Sequence, residues 1–208
     1  MSRARLEISE DAGGYYCEHV LFLAKKTLRA QNPSARAMFL HVVKDAFSTT
    51  TQKAPESRFD DIDAIVSRVL HRFASEGARK IVLTGFEPFG DVLQNPSGDY
   101  LSSQAFINTS NLLRKRYNIA LKSFVLSVDD RAIDGTEHSI QCLIKTEKPD
   151  ILLSLGVANQ RFFAECIATD RNLKHGNGTA FHVKSLDART KMERDTTLFK
   201  AWDFETLV

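Results

Sequence analysis

Four places in the chain carry residues whose type and setting suit chemistry. Cys17 follows a strand-like run, a pair of glycines (Gly13, Gly14) and two tyrosines, so it falls in the opening turn of a predicted helix. The unpaired amides and the dipole of a helix start favour a thiolate and can hold a developing oxyanion. The plain alternative is a free Cys packed as a small hydrophobe. His41 lies inside the apolar run Met38-Phe39-Leu40-His41-Val42-Val43, where both imidazole nitrogens need partners, structural or catalytic. Glu165 interrupts Arg161-Phe162-Phe163-Ala164-Glu165-Cys166-Ile167-Ala168. It reads either as a half-buried charge that needs a partner or as a surface position on an edge strand. Finally, Gly85-Phe86-Glu87-Pro88-Phe89-Gly90 sets two aromatic rings on a glycine-bounded loop after a strand. No Lys-Ser/Thr follows, which excludes a phosphate-binding P-loop. The rings suit a flat, apolar ligand, or else they plug the core.

The elements that must position these residues alternate between strand and helix. Leu6–Ser9, Ala37–Val43, Lys80–Thr84, Ala120–Val128 and Asp150–Leu155 read as strands. Helices are predicted over Tyr15–Ala30, Phe59–Glu76 and Ala132–Lys148, the last stopped by Pro149. In the second of these, Ile62, Ile65, Val66, Val69, Leu70 and Phe73 form one stripe, Asp60 or Asp61 serves near the start and Gly77 ends it. Segments 44–57 and 85–98 are expected to be loops. The pattern weakens after Asp170, and residues 202–208 (WDFETLV) look like an unfinished helix. Hydrophobic strands alternating with helices predict an α/β fold, a three-layer α/β/α sandwich with a mixed, mostly parallel sheet. Its core should hold Ile81, Leu83, Ile151, Leu153, Leu40 and Val42.

The 208 residues are 43% hydrophobic and 26% charged with a net charge of +2, so one soluble domain is expected. Such a balance offers no electrostatic basis for binding nucleic acid or an anionic membrane. No apolar run approaches the roughly 18 residues of a membrane span, and the N-terminal stretch lacks the apolar core of a secretory signal. Three widely spaced cysteines (Cys17, Cys142, Cys166) argue for a reducing, cytoplasmic setting and against a disulfide framework or zinc site. Cys142 and Cys166 are expected in the core. The remaining histidines (His19, His71, His138, His175, His182) show no metal-ligand spacing.

At the aromatic loop the chain resembles a known family. KIVLTGFEPFG followed by Asn95-Pro96-Ser97 is similar to the opening of the pyroglutamyl peptidase I (pyrrolidone-carboxylate peptidase) family. KPDILLSLG and the segment around Glu165 continue the resemblance. SEDAGGYYCEH resembles the region of that family's nucleophile, and FLHV the strand that carries its histidine. The order is exchanged: residues 1–77 resemble the family's C-terminal part and residues 79–208 its N-terminal part. This is the signature of a circular permutation within a single domain, in which Val208 would lead back towards Met1.

The resemblance implies a phosphorylase/hydrolase-like fold and a thiol protease of the cytoplasm that removes N-terminal pyroglutamate from peptides without metal or organic cofactor. It further implies Cys17 as nucleophile, His41 as general base and Glu165 as the acid of a triad. Phe86 and Phe89 match the aromatics of the ring pocket, and Tyr15 lies where the family also has an aromatic. Glu18 departs from the family's Asn, and a negative charge there would raise the thiol pKa. The turn Gly156–Arg161 is altered, and a downstream arginine of the family is matched only by Arg171 or His175. These departures keep a second reading open, a non-catalytic binding protein on the same fold. The exchanged order also allows a homo-oligomer in which two chains trade segments.

Overall fold

The computed structural model describes residues 6–9, 16–43, 59–89, 93–133, 135–158, 162–165, 173–174 and 180–181. Eight strands are described: β1 (Leu6–Ser9), β2 (Arg36–Val43), β3 (Lys80–Phe86), β4 (Ala120–Leu126), β5 (Ile151–Ala158), β6 (Phe162–Glu165), β7 (Leu173–Lys174) and β8 (Ala180–Phe181). The helices are α1 (Tyr16–Gln31), α2 (Asp60–Ser75), α3 (Pro96–Leu101), α4 (Gln104–Tyr117) and α5 (Ile140–Glu147). β1 to β6 form one sheet in the order β1-β6-β2-β5-β3-β4. β2, β5, β3 and β4 run parallel, while β6 and its parallel partner β1 run against β2. The expected mixed, mostly parallel sheet is therefore present.

β2, β3 and β5 alternate their side chains between two apolar layers, as the period of two demands. On one face Met38, Leu40, Val42, Ile81, Leu83, Ile151, Leu153 and Leu155 pack against α2, α3 and α4. The predicted stripe of α2 (Ile62, Ile65, Val66, Val69, Leu70, Phe73) is buried there, and so are the six residues assigned to the core. The other face, with Ala37, Phe39, Val82, Phe86 and Leu152, is covered by α1 and α5. Three layers result. Among the described residues, no helix is long and apolar enough to cross a membrane.

The two sequence segments on either side of residue 78 build this sheet together. β2, from the first, lies between β6 and β5 from the second, and among the described residues β1 pairs with β6 alone. The joint between them is tightly made. Gly77 (φ +99°) ends α2 in the left-handed region, with its N–H bonded to the Ala74 carbonyl and the Ala78 N–H to that of Phe73. The Asp150 carboxylate then accepts from the Arg79 and Lys80 amides, both at 2.8 Å.

Some expected elements differ. The helix foreseen over 132–148 begins only at Ile140. Gly135 sits at φ +84°, and Ser139 caps the helix by accepting from the Cys142 amide at 3.2 Å. The segment foreseen as a loop to residue 98 turns helical at Pro96, where Asn95 caps α3. Phe59 rather than an aspartate takes the cap position of α2, and Asp60, Asp61 and Asp63 occupy its first turn, favourable for the dipole. Cys142 is half-buried rather than a core residue. Cys166 and the segments 44–57 and 202–208 lie outside the described residues.

Candidate functional site

His41 sits two residues before the end of β2, on the sheet face that carries Phe39, and is 5% exposed. Its ring centroid lies 4.9 Å from that of Phe39 at a 40° tilt. Phe39 in turn stacks on Phe86 at 6.0 Å and 24°. Phe86 closes β3 at the same end of the sheet. One aromatic row thus runs His41–Phe39–Phe86, from one of the sequence segments into the other.

Helix α1 covers this face, and its direction follows from its connection. Ala35 donates to the Asn32 carbonyl and Arg36 to that of Asp150, so α1 passes into β2 through a short turn and runs against it. From Gln31 back to Cys17 the helix rises about 21 Å at 1.5 Å per residue. From Arg36 to His41 the strand rises about 17 Å at 3.3 Å per residue. The first turn of α1, which carries Cys17, therefore reaches the end of the sheet where His41 lies. Helix α1 adds a second buried imidazole, His19, which stacks with Phe22 at 6.5 Å.

Glu165 is the last residue of β6. That strand is flanked by β1 and β2, which overturns the reading of Glu165 as a position on an edge strand. Its Cα partners are Ser9 on one side and Phe39 on the other, while His41 faces Phe163. Glu165 is thus diagonal to His41 across an antiparallel pair. Diagonal positions are about 7–8 Å apart, within reach of long side chains.

The aromatic loop is fastened from below. The Phe86 amide donates to Ser97 Oγ at 3.1 Å, and that hydroxyl donates to Asn95 Oδ1 at 2.7 Å. Asn95 Nδ2 donates to the Glu87 carbonyl at 3.0 Å, and the Glu87 amide to Leu126 at 2.9 Å. No side chain could intervene: a Cβ on Gly85 would stand 2.5 Å from the Ser97 carbonyl oxygen, and one on Gly98 would stand 2.4 Å from that of Phe86. The two rings of the loop differ in setting. Phe86 is 5% exposed and belongs to the core, whereas Phe89 is 36% exposed. Only Phe89 is presented as an open apolar surface, and Phe86 fills the layer beneath α1.

Tyr15, Arg171 and His175 lie outside the described residues; of the turn expected over Gly156–Arg161, Gly156 to Ala158 instead continue β5, paired with His41 to Val43, and the rest lies outside the described residues. The sequence alone assigned no positioning role to Phe39, Gly156, Asn95 or Ser97. Phe39 had a readable signal, since position i−2 on a strand shares a face with His41. Asn95 had one too, as a cap residue before Pro. Among the described residues no group of three or more His, Cys, Asp or Glu is disposed to hold a metal ion. A surface groove of about 210 Å³ lined by Phe124, Leu126, Leu143 and Thr146 lies at the far edge of the sheet, along β4 and α5. Comparison of the chain with protein-family models, with curated proteins and with solved structures finds no match in any of the three.

Proposed function

We propose that the chain is a cytoplasmic cysteine peptidase that removes N-terminal pyroglutamate from peptides, with Cys17, His41 and Glu165 as its triad. The observation that carries this reading is the arrival of the α1 first turn at the end of the sheet face that bears His41. The motif resemblance around TGFEPFG and around Cys17 supplies the substrate class.

In this mechanism His41 takes the proton of the Cys17 thiol, and the thiolate is favoured by the amides and dipole of the helix start. The sulfur attacks the carbonyl that joins pyroglutamate to the next residue. The negative charge formed on the carbonyl oxygen is held by backbone N–H groups at the start of α1. The C–N bond then breaks as the His41 imidazolium gives its proton to the leaving amine. Water, deprotonated by His41, attacks the thioester and releases pyroglutamic acid with the thiol restored. Glu165 orients the imidazole and stabilises its cationic form. Pyroglutamate has no free amine, so its flat lactam ring is what the aromatic loop must recognise, with Phe89 as the ring surface offered to it and the buried Phe86 as the loop's support from the core.

The test is hydrolysis of a pyroglutamyl reporter amide by the wild-type chain and by Cys17→Ala. Turnover that vanishes in the variant is the expected result. A well-folded wild type that gives no signal would overturn the reading. It would favour the second one, a binding protein for pyroglutamyl peptides. Glu18, beside Cys17 in the first turn of α1, is the feature that favours this second reading, because its charge opposes a thiolate. Binding of a pyroglutamyl peptide measured by calorimetry, without cleavage, would establish it. Sizing at several concentrations decides whether the active species is one chain or an assembly that exchanges segments.

A further inference from the structure

His41 pairs with Gly156 across β2 and β5, and Phe39 pairs with Ser154. The Phe39 ring does not stay within its own row. A Cβ built on Gly156 would lie 2.3 Å from Phe39 Cε1 and 2.5 Å from Cζ, so the ring occupies the space that a side chain at Gly156 would fill. Ser154 is turned to another partner: its hydroxyl accepts from Thr84 at 2.8 Å, and both groups are buried. Phe39 is fully buried and shares its layer with Val20, Leu23 and Ala24 of α1. It therefore packs over Gly156 of the neighbouring strand and beside the imidazole, within the apolar layer that α1 covers. A ring so enclosed has one place to be, since protein interiors leave few voids for an alternative rotamer.

We propose that Phe39 is a positioning residue: its ring, admitted by the bare backbone of Gly156, sets the plane of the His41 imidazole towards the start of α1. The inference rests on the peptidase reading for its consequence in catalysis. Its physical content, control of His41 by Phe39, can be measured without turnover. The Phe39 ring stands 4.9 Å from the imidazole at a 40° tilt and limits the rotation of its ring on that side. A misplacement of about 1 Å at a catalytic base costs on the order of 100-fold in rate.

The experiment uses Phe39→Leu, which removes the ring, Gly156→Ala, which pushes against it, and the double variant, in which the new methyl occupies part of the vacated space. Three quantities are read on folded protein: the NMR titration of His41, the pH profile of Cys17 alkylation by iodoacetamide, and kcat and KM on a pyroglutamyl reporter amide. In Phe39→Leu the His41 titration is expected to move, the alkylation profile to shift towards the free-thiol range near about 8.5, and kcat to fall roughly 10- to 100-fold. KM should stay within about twofold, because ground-state binding is not touched. The double variant should recover part of the Gly156→Ala loss. A Phe39→Leu variant with wild-type His41 titration and alkylation profile overturns the proposal, whether or not Gly156→Ala folds. If the wild type hydrolyses nothing, the peptidase reading fails by itself, and the His41 titration still decides for or against Phe39.

Discussion

Ser97 Oγ accepts the backbone N–H of Phe86 at 3.1 Å, in a pocket where the hydroxyl itself is fully buried. The bond joins the start of α3 to the last residue of β3, the point from which the aromatic loop departs. Ser97→Ala leaves the Phe86 amide buried without its acceptor and strips Asn95 of one donor. An orphaned buried group of this kind costs about 1–3 kcal/mol. Urea unfolding of Ser97→Ala should show that loss. Because the loop would also loosen, KM for a pyroglutamyl amide should rise more than kcat falls. A variant with unchanged unfolding midpoint and unchanged KM would mean the loop is held by other bonds.

The triad residues are predicted to separate by role. His41→Ala removes the general base and should lower kcat by about 10²–10⁴-fold. Glu165→Gln retains the shape but not the charge that supports an imidazolium, so it should lose less than His41→Ala and should lose it mainly in kcat. His19→Ala is the control, because among the described residues His19 is the second buried imidazole, carried by α1. If His19→Ala costs more than His41→Ala in folded protein, the base has been misassigned.

Much of this arrangement was legible because the strands obey their period. The alternation in Met38-Phe39-Leu40-His41-Val42 put Leu40 and Val42 in one layer and left His41 for the other, and the structure has them so. The helix stripe from Ile62 to Phe73 was equally plain. Helix α4 escaped notice for a physical reason. Its buried residues are Phe106, Thr109, Ser110 and Leu113, half of them polar, while Ile107 and Leu112 face outwards. An apolar-period search cannot find a helix whose inner face is hydroxyl-bearing and whose outer face carries the aliphatics. The reach of the Phe39 ring over Gly156 was also hidden, since register between distant strands is not written in local sequence. For Glu165 the choice between a half-buried charge and an edge position stayed open, because the charge was visible and its two flanking strands were not.

Glu147 gives a prediction with a pH window. The hydrogen bond from Lys122 at 2.9 Å and the ion pair with Lys80 at 3.2 Å hold its carboxyl below the usual glutamate value, with burial opposing part of the effect. A carboxylate whose folded pKa is depressed adds stability above its unfolded value of 4.5, and that stability is lost as pH falls through the lower folded value. The lysines are partly exposed, so the gain is screened to about 1 kcal/mol or less. Glu147→Gln should therefore melt below the wild type near neutral pH, and the gap should close in acid. A gap of constant size from neutral pH down to about pH 3 would assign the effect to packing instead of charge.

Tyr100 tests the layer on the opposite face of the sheet. Its hydroxyl donates to Asp63 Oδ1 at 2.7 Å, and Thr109 donates to the same carboxylate at 3.0 Å, so one aspartate of α2 ties together α3 and α4. Burial, then the Asp63 charge and the hydrogen bond to it, push the Tyr100 hydroxyl far above the ordinary tyrosine range. The phenol thus stays a donor throughout the folded pH range. Tyr100→Phe keeps the ring against Phe106 and Phe59 but deletes the donor to a charged group, a bond type that contributes about 1.5–3 kcal/mol. Thr109→Val removes the other donor. In the double variant Asp63 is left without either, so the loss should exceed the sum of the single losses. Denaturant unfolding of the four proteins of this cycle reads the coupling directly. Strict additivity would show that the two donors act independently and that Asp63 does not couple α3 to α4.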